Sequence, residues 1–392
     1  MTDWDAVVVG AGPAGSAAAA ALASRGARVL LVEKDRFPRD KVCGEFLAEE
    51  ALASLDRIGA REALEAALPE RIHEGSIHLP AGAAVAFTLA APALGISRRA
   101  LDALLAERAA ALGARVRFET RVRSIEGSPA SEFRVRLAAG GAVEEETSAR
   151  VAIGAWGRWD ALDRSLGRAF LRRHRFFGWN RGFDGGEAFL AGRVRLYLYP
   201  GGYCGLSRVE GGEVNLAGVV SESVHRRLGG GWDAVLLHAR KSNPSLDRDL
   251  ARLDPGARGF LGTVPVIFTA KPPVENGILM TGDAAGVLDP FSGQGQAAAL
   301  ASGILAADAA ADYLEGRHSA DALLDGYRRN WRARFSRRFA WSAALRSLIL
   351  DPRLGGIAAR FAGEPIVRFG MRKLRPWRRP PSGERSDPRR PG

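Results

Sequence analysis

The chain has 392 residues, 46% of them apolar and 26% charged, which suits two domains or one discontinuous one around a sizeable core. Two distant cysteines, Cys43 and Cys204, and six histidines without ligand spacing argue against a disulfide framework or a metal site. The net charge of +12 sits half in the stretch Arg372–Arg390, where eight basic residues face two acidic ones; no nucleic-acid-binding motif accompanies it, so nucleic acid is not an expected partner.

The N-terminal MTDWD lacks a basic signal-peptide region, and no run reaches the ~18–20 uninterrupted apolar residues of a spanning helix, so a cytoplasmic location is expected. Asp5–Gly10 (DAVVVG) reads as a buried strand. Gly10, Gly12 and Gly15 follow in GAGPAG, which also carries Pro13 and Ala14. An Ala-rich helix then runs to about Ser24, and a second strand, Arg28–Val32, ends at Glu33. This is a dinucleotide-binding βαβ pattern. Gly10 permits the tight turn, Gly12 admits a pyrophosphate to the backbone, and Gly15 lets helix and strand pack closely. The helix N-terminus offers N–H groups to the phosphates, and Glu33 is placed to accept from ribose hydroxyls.

A loop, Lys34–Phe46, comes next, then helical patterns at Ala48–Ile58 and Arg61–Leu68 and short strands within Gly75–Leu89. Ser97–Leu112 is an amphipathic helix stopped by Gly113. Strands follow at Arg115–Ile125, Phe133–Leu137 and Val151–Ile153, the last leading into Gly154-Ala155-Trp156-Gly157. Phe170–Val220 alternates aromatic and polar positions between glycine turns, the pattern of an antiparallel meander. Trp232–Leu250 reads as helix, Ile278–Thr281 as a buried strand, and a long helix starts near Gly295. More helix fills Asp321–Phe369.

After the Ile278 strand comes GDAAGVLDPFSGQG, with Gly282, Asp283, Pro290, Gly293, Gln294 and Gly295. Together with GAGPAG and Glu33 it resembles the FAD-dependent oxidoreductases of the p-hydroxybenzoate hydroxylase and geranylgeranyl reductase superfamily, whose fingerprint is GDAAHxxxPxxGxG. Here Gly286 stands for the His. RRALD from Arg98 is similar to that family's RxxLD, and Val122 matches a position beside the adenine. FPRDKVCGEFL (Phe37–Leu47) is similar to a loop shared by geranylgeranyl reductases and a set of bacterial flavin oxidoreductases, so it does not by itself choose between the two chemistries. The resemblance implies bound FAD held by the two glycine turns, Asp283 on the ribityl chain, and Lys34, Arg39, Lys41, Val42, Cys43, Gly44 and Arg98 along the pyrophosphate and flavin. The helix starting at Gly295 would stabilise negative charge on the reduced ring. Trp156 stands where many hydroxylases have the Asp of GADG, which leaves the electron donor open between NAD(P)H and a separate reductase.

The expected architecture is α/β. A discontinuous Rossmann-like FAD-binding domain (1–74, 95–169, 262–330) is interrupted by an antiparallel β substrate domain (75–94, 170–261). A helical C-terminal region (331–374) and a disordered basic tail (375–392) follow. Trp179, Tyr197, Tyr199 and Tyr203 are candidates for the substrate wall, two of them expected only to pack. The leading expectation is a monooxygenase acting on an apolar or aromatic small molecule, with Pro290 positioning the ring. Reduction of prenyl double bonds and a non-catalytic flavin-binding role are the alternatives. In the reductase reading Cys43 assists hydride or proton delivery; otherwise it is a small apolar residue in a tight loop. Arg337–Leu374 reads either as a helical cap or as a basic amphipathic segment on a membrane surface.

Overall fold

The computed structural model describes residues 2–80, 82–139, 143–168 and 175–350. Two sheets organise them. In the first, strands Val274–Glu275, Ile278–Met280, Val143–Gly154, Trp4–Val9, Val29–Val32 and Arg115–Arg117 lie side by side in that order. Its centre is parallel: Val8 stands opposite Leu31 on one side and Ile153 on the other, and Ile153 opposite Leu279. The central stretches at residues 6–9, 29–32, 151–153 and 278–280 are continuous buried apolar runs because both faces are covered there. The wholly buried helix Pro13–Ala23 packs on the sheet, against Arg98–Ala111 and Gly295–Leu314. A hairpin, Thr120–Ser128 and Glu132–Ala139, adds to the Val143–Gly154 strand.

The second sheet runs Leu253–Pro255, Phe176–Gly185, Val214–Ser221, Gly202–Arg208, Arg193–Tyr199, Glu70–His78, Ala84–Gly95 and Phe46–Leu47. It is antiparallel except where Arg193–Tyr199 meets Glu70–His78, with Leu196 opposite Ile77. That parallel pair joins strands from widely separated stretches, which no hairpin constrains.

The expected domain limits shift accordingly. The second sheet takes its strand from Glu70 rather than 75, and also recruits Phe46–Leu47. Leu261–Gly262 still pairs with the Phe176–Gly185 strand, and Val266 bridges to Phe176, so the return to the first sheet comes at Val274 rather than 262. The expected helix Trp232–Leu250 is two, Trp232–Ser242 and Pro244–Leu250. Asn243 breaks it. Its side chain caps the second helix while its amide donates to the carbonyls of His78 and Leu198.

The last helix, Ala320–Leu350, crosses the expected boundary at 330. The basic tail, and the membrane or cap segment beyond residue 350, lie outside the described residues. Among the described residues one helix, Gly295–Leu314, is long and apolar enough to cross a membrane, with mean hydropathy 1.3. Twelve of its residues are buried in the first domain's core, against the Pro13–Ala23 helix and its neighbours.

Candidate functional site

A cavity of about 620 Å³ lies between the two sheets. Its first-sheet wall is built from two strand-to-helix turns. At the first, Gly10 has φ +101, and its N–H donates to the Val32 carbonyl. A Cβ on Gly15 would lie 1.8 Å from the Gly10 carbonyl oxygen, so Gly15 sets the closeness of helix to strand and does not line the cavity. Gly10, Gly12, Pro13 and Ala14 do line it. The Glu33 carboxylate, at the end of the next strand, accepts from the N–H of Ala11 at 2.8 Å. At the second turn Gly282, Asp283, Pro290, Gly293 and Gly295 line the cavity, whereas Gln294 is buried as the residue preceding the long helix. Neither helix N-terminus carries a side-chain cap, so both present N–H groups.

Position 286 is glycine for a local reason. A Cβ there would lie 2.5 Å from the Phe339 ring, so the last helix fills the space the family's histidine would take.

The loop after Glu33 supplies Lys34, Arg39, Lys41, Val42, Cys43 and Gly44, and Arg98 and Val122 complete this end. Arg98 makes a bidentate pair with Asp102 at 2.7 Å, which holds its charge although burial opposes it. Arg39 bonds the same carboxylate at 3.0 Å. The Lys41 ammonium is left beside two guanidinium groups. Burial, then Arg98 and Arg39, push its pKa down to about 8 against the pull of Asp102 and Glu33.

Cys43 Sγ accepts from Gln296 Nε2 at 3.2 Å and from the Glu45 N–H at 3.4 Å. Sequence reasoning missed Gln296, because it lies one residue beyond the glycine fingerprint. It also missed Arg158, which lines the cavity, donates to the Val42 carbonyl at 3.2 Å and pairs with Asp283 at 3.5 Å. Trp156 lines the cavity too, and its indole donates to Asp163. The nearby lining carboxylate is instead Asp160, 3.1 Å from Lys34.

Of the four aromatic candidates on the second sheet, Tyr203 faces the cavity. Its hydroxyl donates to the buried Asp289 and accepts from the Phe291 N–H at 2.7 Å, tying the sheet to the Asp289–Ser292 turn. Burial raises the pKa of both Tyr203 and Asp289. Tyr197 and Tyr199 do not line the cavity. They pack on the opposite face with Cys204, Leu206 and Val235, and Tyr197 donates to Asp249. Trp179 borders the cavity, but its ring lies on that same far face: a Cβ on Gly218 would meet its Cζ2 at 2.8 Å, beside Cys204. The period-2 pleat puts Leu196 and Leu198 inward and the tyrosines outward.

The site fits a flavin dinucleotide. Two uncapped helix ends and the Arg39–Lys41–Arg98 cluster suit a pyrophosphate. Cβ atoms on Gly44 or Gly295 would meet nothing within 4 Å, and one on Gly12 would meet only Arg98, so these glycines leave a groove open along the backbone.

Comparison with known proteins agrees. An FAD binding domain family matches residues 3–180. The chain is 28% identical over 390 residues to the digeranylgeranylglycerophospholipid reductase of Methanothrix thermoacetophila, covering 94% of each chain. It is 30% identical over 322 residues to the menaquinone reductase of Mycolicibacterium smegmatis, covering 78% of this chain and 76% of that protein. Among solved structures, the myxobacterial chondrochloren halogenase CndH has a TM-score of 0.76 at 23% identity, over 86% of this chain and 80% of that one. PqsL of Pseudomonas aeruginosa, described as a probable FAD-dependent monooxygenase, has 0.73 at 20%, over 90% and 99%. The chain belongs to the FAD-dependent oxidoreductases of the p-hydroxybenzoate hydroxylase and geranylgeranyl reductase superfamily. It is an enzyme of that class with FAD as its cofactor.

Proposed function

We propose that this enzyme reduces carbon–carbon double bonds in a long apolar, prenyl-type chain. One observation carries the reading. The wall bearing Cys43 opens onto the inner face of the second sheet, where Ile77, Val85, Phe87, Leu196, Leu198 and Val219 line the cavity. Among the described residues, that sheet's strands from Glu70 to Ser221 contribute no charged side chain to the lining. The wall's hydroxyl-bearing side chains are Tyr203, whose hydroxyl is taken up by Asp289 and the Phe291 N–H, and Ser207; the predominance of aliphatic side chains suits an aliphatic substrate. The names of the two curated relatives, both reductases, support the same direction over the monooxygenation that the sequence alone put first.

Bound FAD supplies hydride chemistry. Saturating an isolated double bond takes a hydride at one carbon and a proton at the other. In this reading the Cys43 thiol delivers that proton, and Gln296 Nε2 and the Glu45 N–H, both donors to Sγ, fix the sulfur's position. Pro290 and Gly293 contribute backbone to the cavity wall beside it, and Phe46 backs them: a Cβ on Gly293 would meet the Phe46 ring at 2.9 Å. The apolar sheet excludes water from the reacting carbons. Arg39, Lys41 and Arg98 would hold the cofactor's phosphates, and Asp283 its sugar-alcohol hydroxyls.

The test is strictly anaerobic incubation of the chemically reduced holoenzyme with a geranylgeranyl compound, read by mass spectrometry. A gain of two hydrogens per reduced bond is expected, with Cys43→Ser much slower. Oxygen incorporation in air, with no saturation under anaerobiosis, would return the assignment to a monooxygenase.

A further inference from the structure

Cys43 sits in a stretch whose anchors come from elsewhere in the chain. Gly44 follows it, and nothing lies within 4 Å of where a Gly44 side chain would begin, so packing does not hold this backbone. Its two neighbours are held. The Cys43 carbonyl accepts from Asn215 Nδ2 at 3.0 Å. Glu45 has φ +53 and a fully buried side chain, and its carboxylate accepts from Arg258 Nη1 at 2.8 Å and Nη2 at 3.0 Å. The same carboxylate accepts from the Arg98 N–H at 3.1 Å.

Both anchors converge on one guanidinium. Arg258 Nη2 also donates to Asn215 Oδ1 at 3.4 Å, and Arg258 Nε lies 2.8 Å from Glu213. Room for it is made by Gly182, where a Cβ would lie 2.8 Å from the Arg258 Cβ. The Arg258 side chain is 9% exposed, so the pair with Glu45 is shielded from water. A positive-φ glutamate whose charge is buried persists only when its surroundings over-determine it.

We propose that Arg258, 215 positions after Cys43 in the chain, is the positioning residue of the Cys43 loop. Acting through Glu45 and Asn215, it fixes where the thiol stands on the flavin-facing wall. It reaches across from the second sheet's side, so the thiol is aligned to both walls of the cavity at once. The importance of the thiol's position rests on the reductase reading; the anchoring itself does not.

The test measures alkylation of the two cysteines by iodoacetamide in the FAD-loaded full chain, resolved by peptide mass spectrometry. Cys204 is fully buried and reports global opening. Asn215→Ala, which removes one neutral amide hydrogen bond to the Cys43 carbonyl, is expected to change the Cys43 rate by roughly fivefold, and Arg258→Met, which removes the charge-assisted fork on Glu45, by roughly tenfold or more, with the Cys204 rate unchanged. Arg258→Lys, which keeps the charge without the fork, should fall between. Should Arg258→Met loosen the whole fold, Cys204 will react faster too, and Asn215→Ala alone decides. A wild-type Cys43 rate in Arg258→Met or in Asn215→Ala, or a parallel rise at both cysteines in Asn215→Ala, would overturn the proposal. No substrate enters this assay, so failure of the reductase reading, seen as no saturation of the prenyl compound under anaerobiosis, is separately recognisable.

Discussion

Lys41 offers a quantitative test of the cofactor site. Its pKa is pushed down to about 8 by burial and by Arg98 and Arg39. A pyrophosphate at this wall favours the ammonium and draws the pKa back toward the ordinary lysine value near 10.4. Binding FAD therefore takes up a proton above pH 8. Raising the pH through about 8 removes the cation that the anion needs, so affinity falls in that direction. Full recovery of the pKa would correspond to about 3 kcal/mol; because the side chain partly reaches solvent, about half of that is the better figure. FAD should then bind roughly five- to tenfold more weakly at pH 9 than at pH 7. Lys41→Arg should flatten this dependence, and Lys41→Met should flatten it while weakening binding at pH 7 by about tenfold. Lys271 is also pushed down to about 8 by burial, but it donates to the carbonyls of Arg158 and Asp283 and does not line the cavity, so the arginine variant separates the two. The assay is fluorescence titration of apoprotein with FAD. Equal affinity at both pH values in the wild type, or an unchanged slope in Lys41→Arg, would refute the reasoning.

Gly15→Ala should yield protein unable to retain FAD, read from the visible spectrum, because the new Cβ would stand 1.8 Å from a backbone oxygen. Gly44→Ala should fold with an unchanged melting temperature but bind FAD more weakly, since its Cβ enters open space on the cavity wall. Tyr203→Phe leaves Asp289 buried without its phenol donor and should lower unfolding free energy by about 1–3 kcal/mol in urea titration; an unchanged midpoint would contradict this. His78 is held neutral, its pKa lowered to about 4 by burial and by Arg195. The unfolded chain binds that proton first, so stability should decline as pH falls from about 6.5 to about 4, by up to about 3 kcal/mol. His78→Gln should flatten that part of the profile.

The flavin-binding half was legible because its signals are local. A buried strand, a glycine turn and an Ala-rich helix follow one another, and spacing alone marks Gly10, Gly12, Glu33 and the Gly293–Gly295 turn. The substrate wall was not. Alternation places Tyr197 and Tyr199 together and Leu196 and Leu198 together, but both faces of this sheet are buried, so hydrophobicity does not say which pair looks at the cavity. The parallel pairing with Glu70–His78 is equally silent in sequence, since the partner strand lies more than a hundred residues away. Arg258 and Asn215 carry no motif at all. They matter because a buried carboxylate and a part-buried backbone carbonyl, supplied by a distant loop, need donors.

The most direct measurement of the central claim follows the flavin itself. Holoenzyme reduced under argon should return to the oxidised spectrum when a geranylgeranyl chain is added, with one double bond saturated per flavin reoxidised. Reduced flavin that persists with the prenyl compound present, and is reoxidised only when air is admitted, would contradict it.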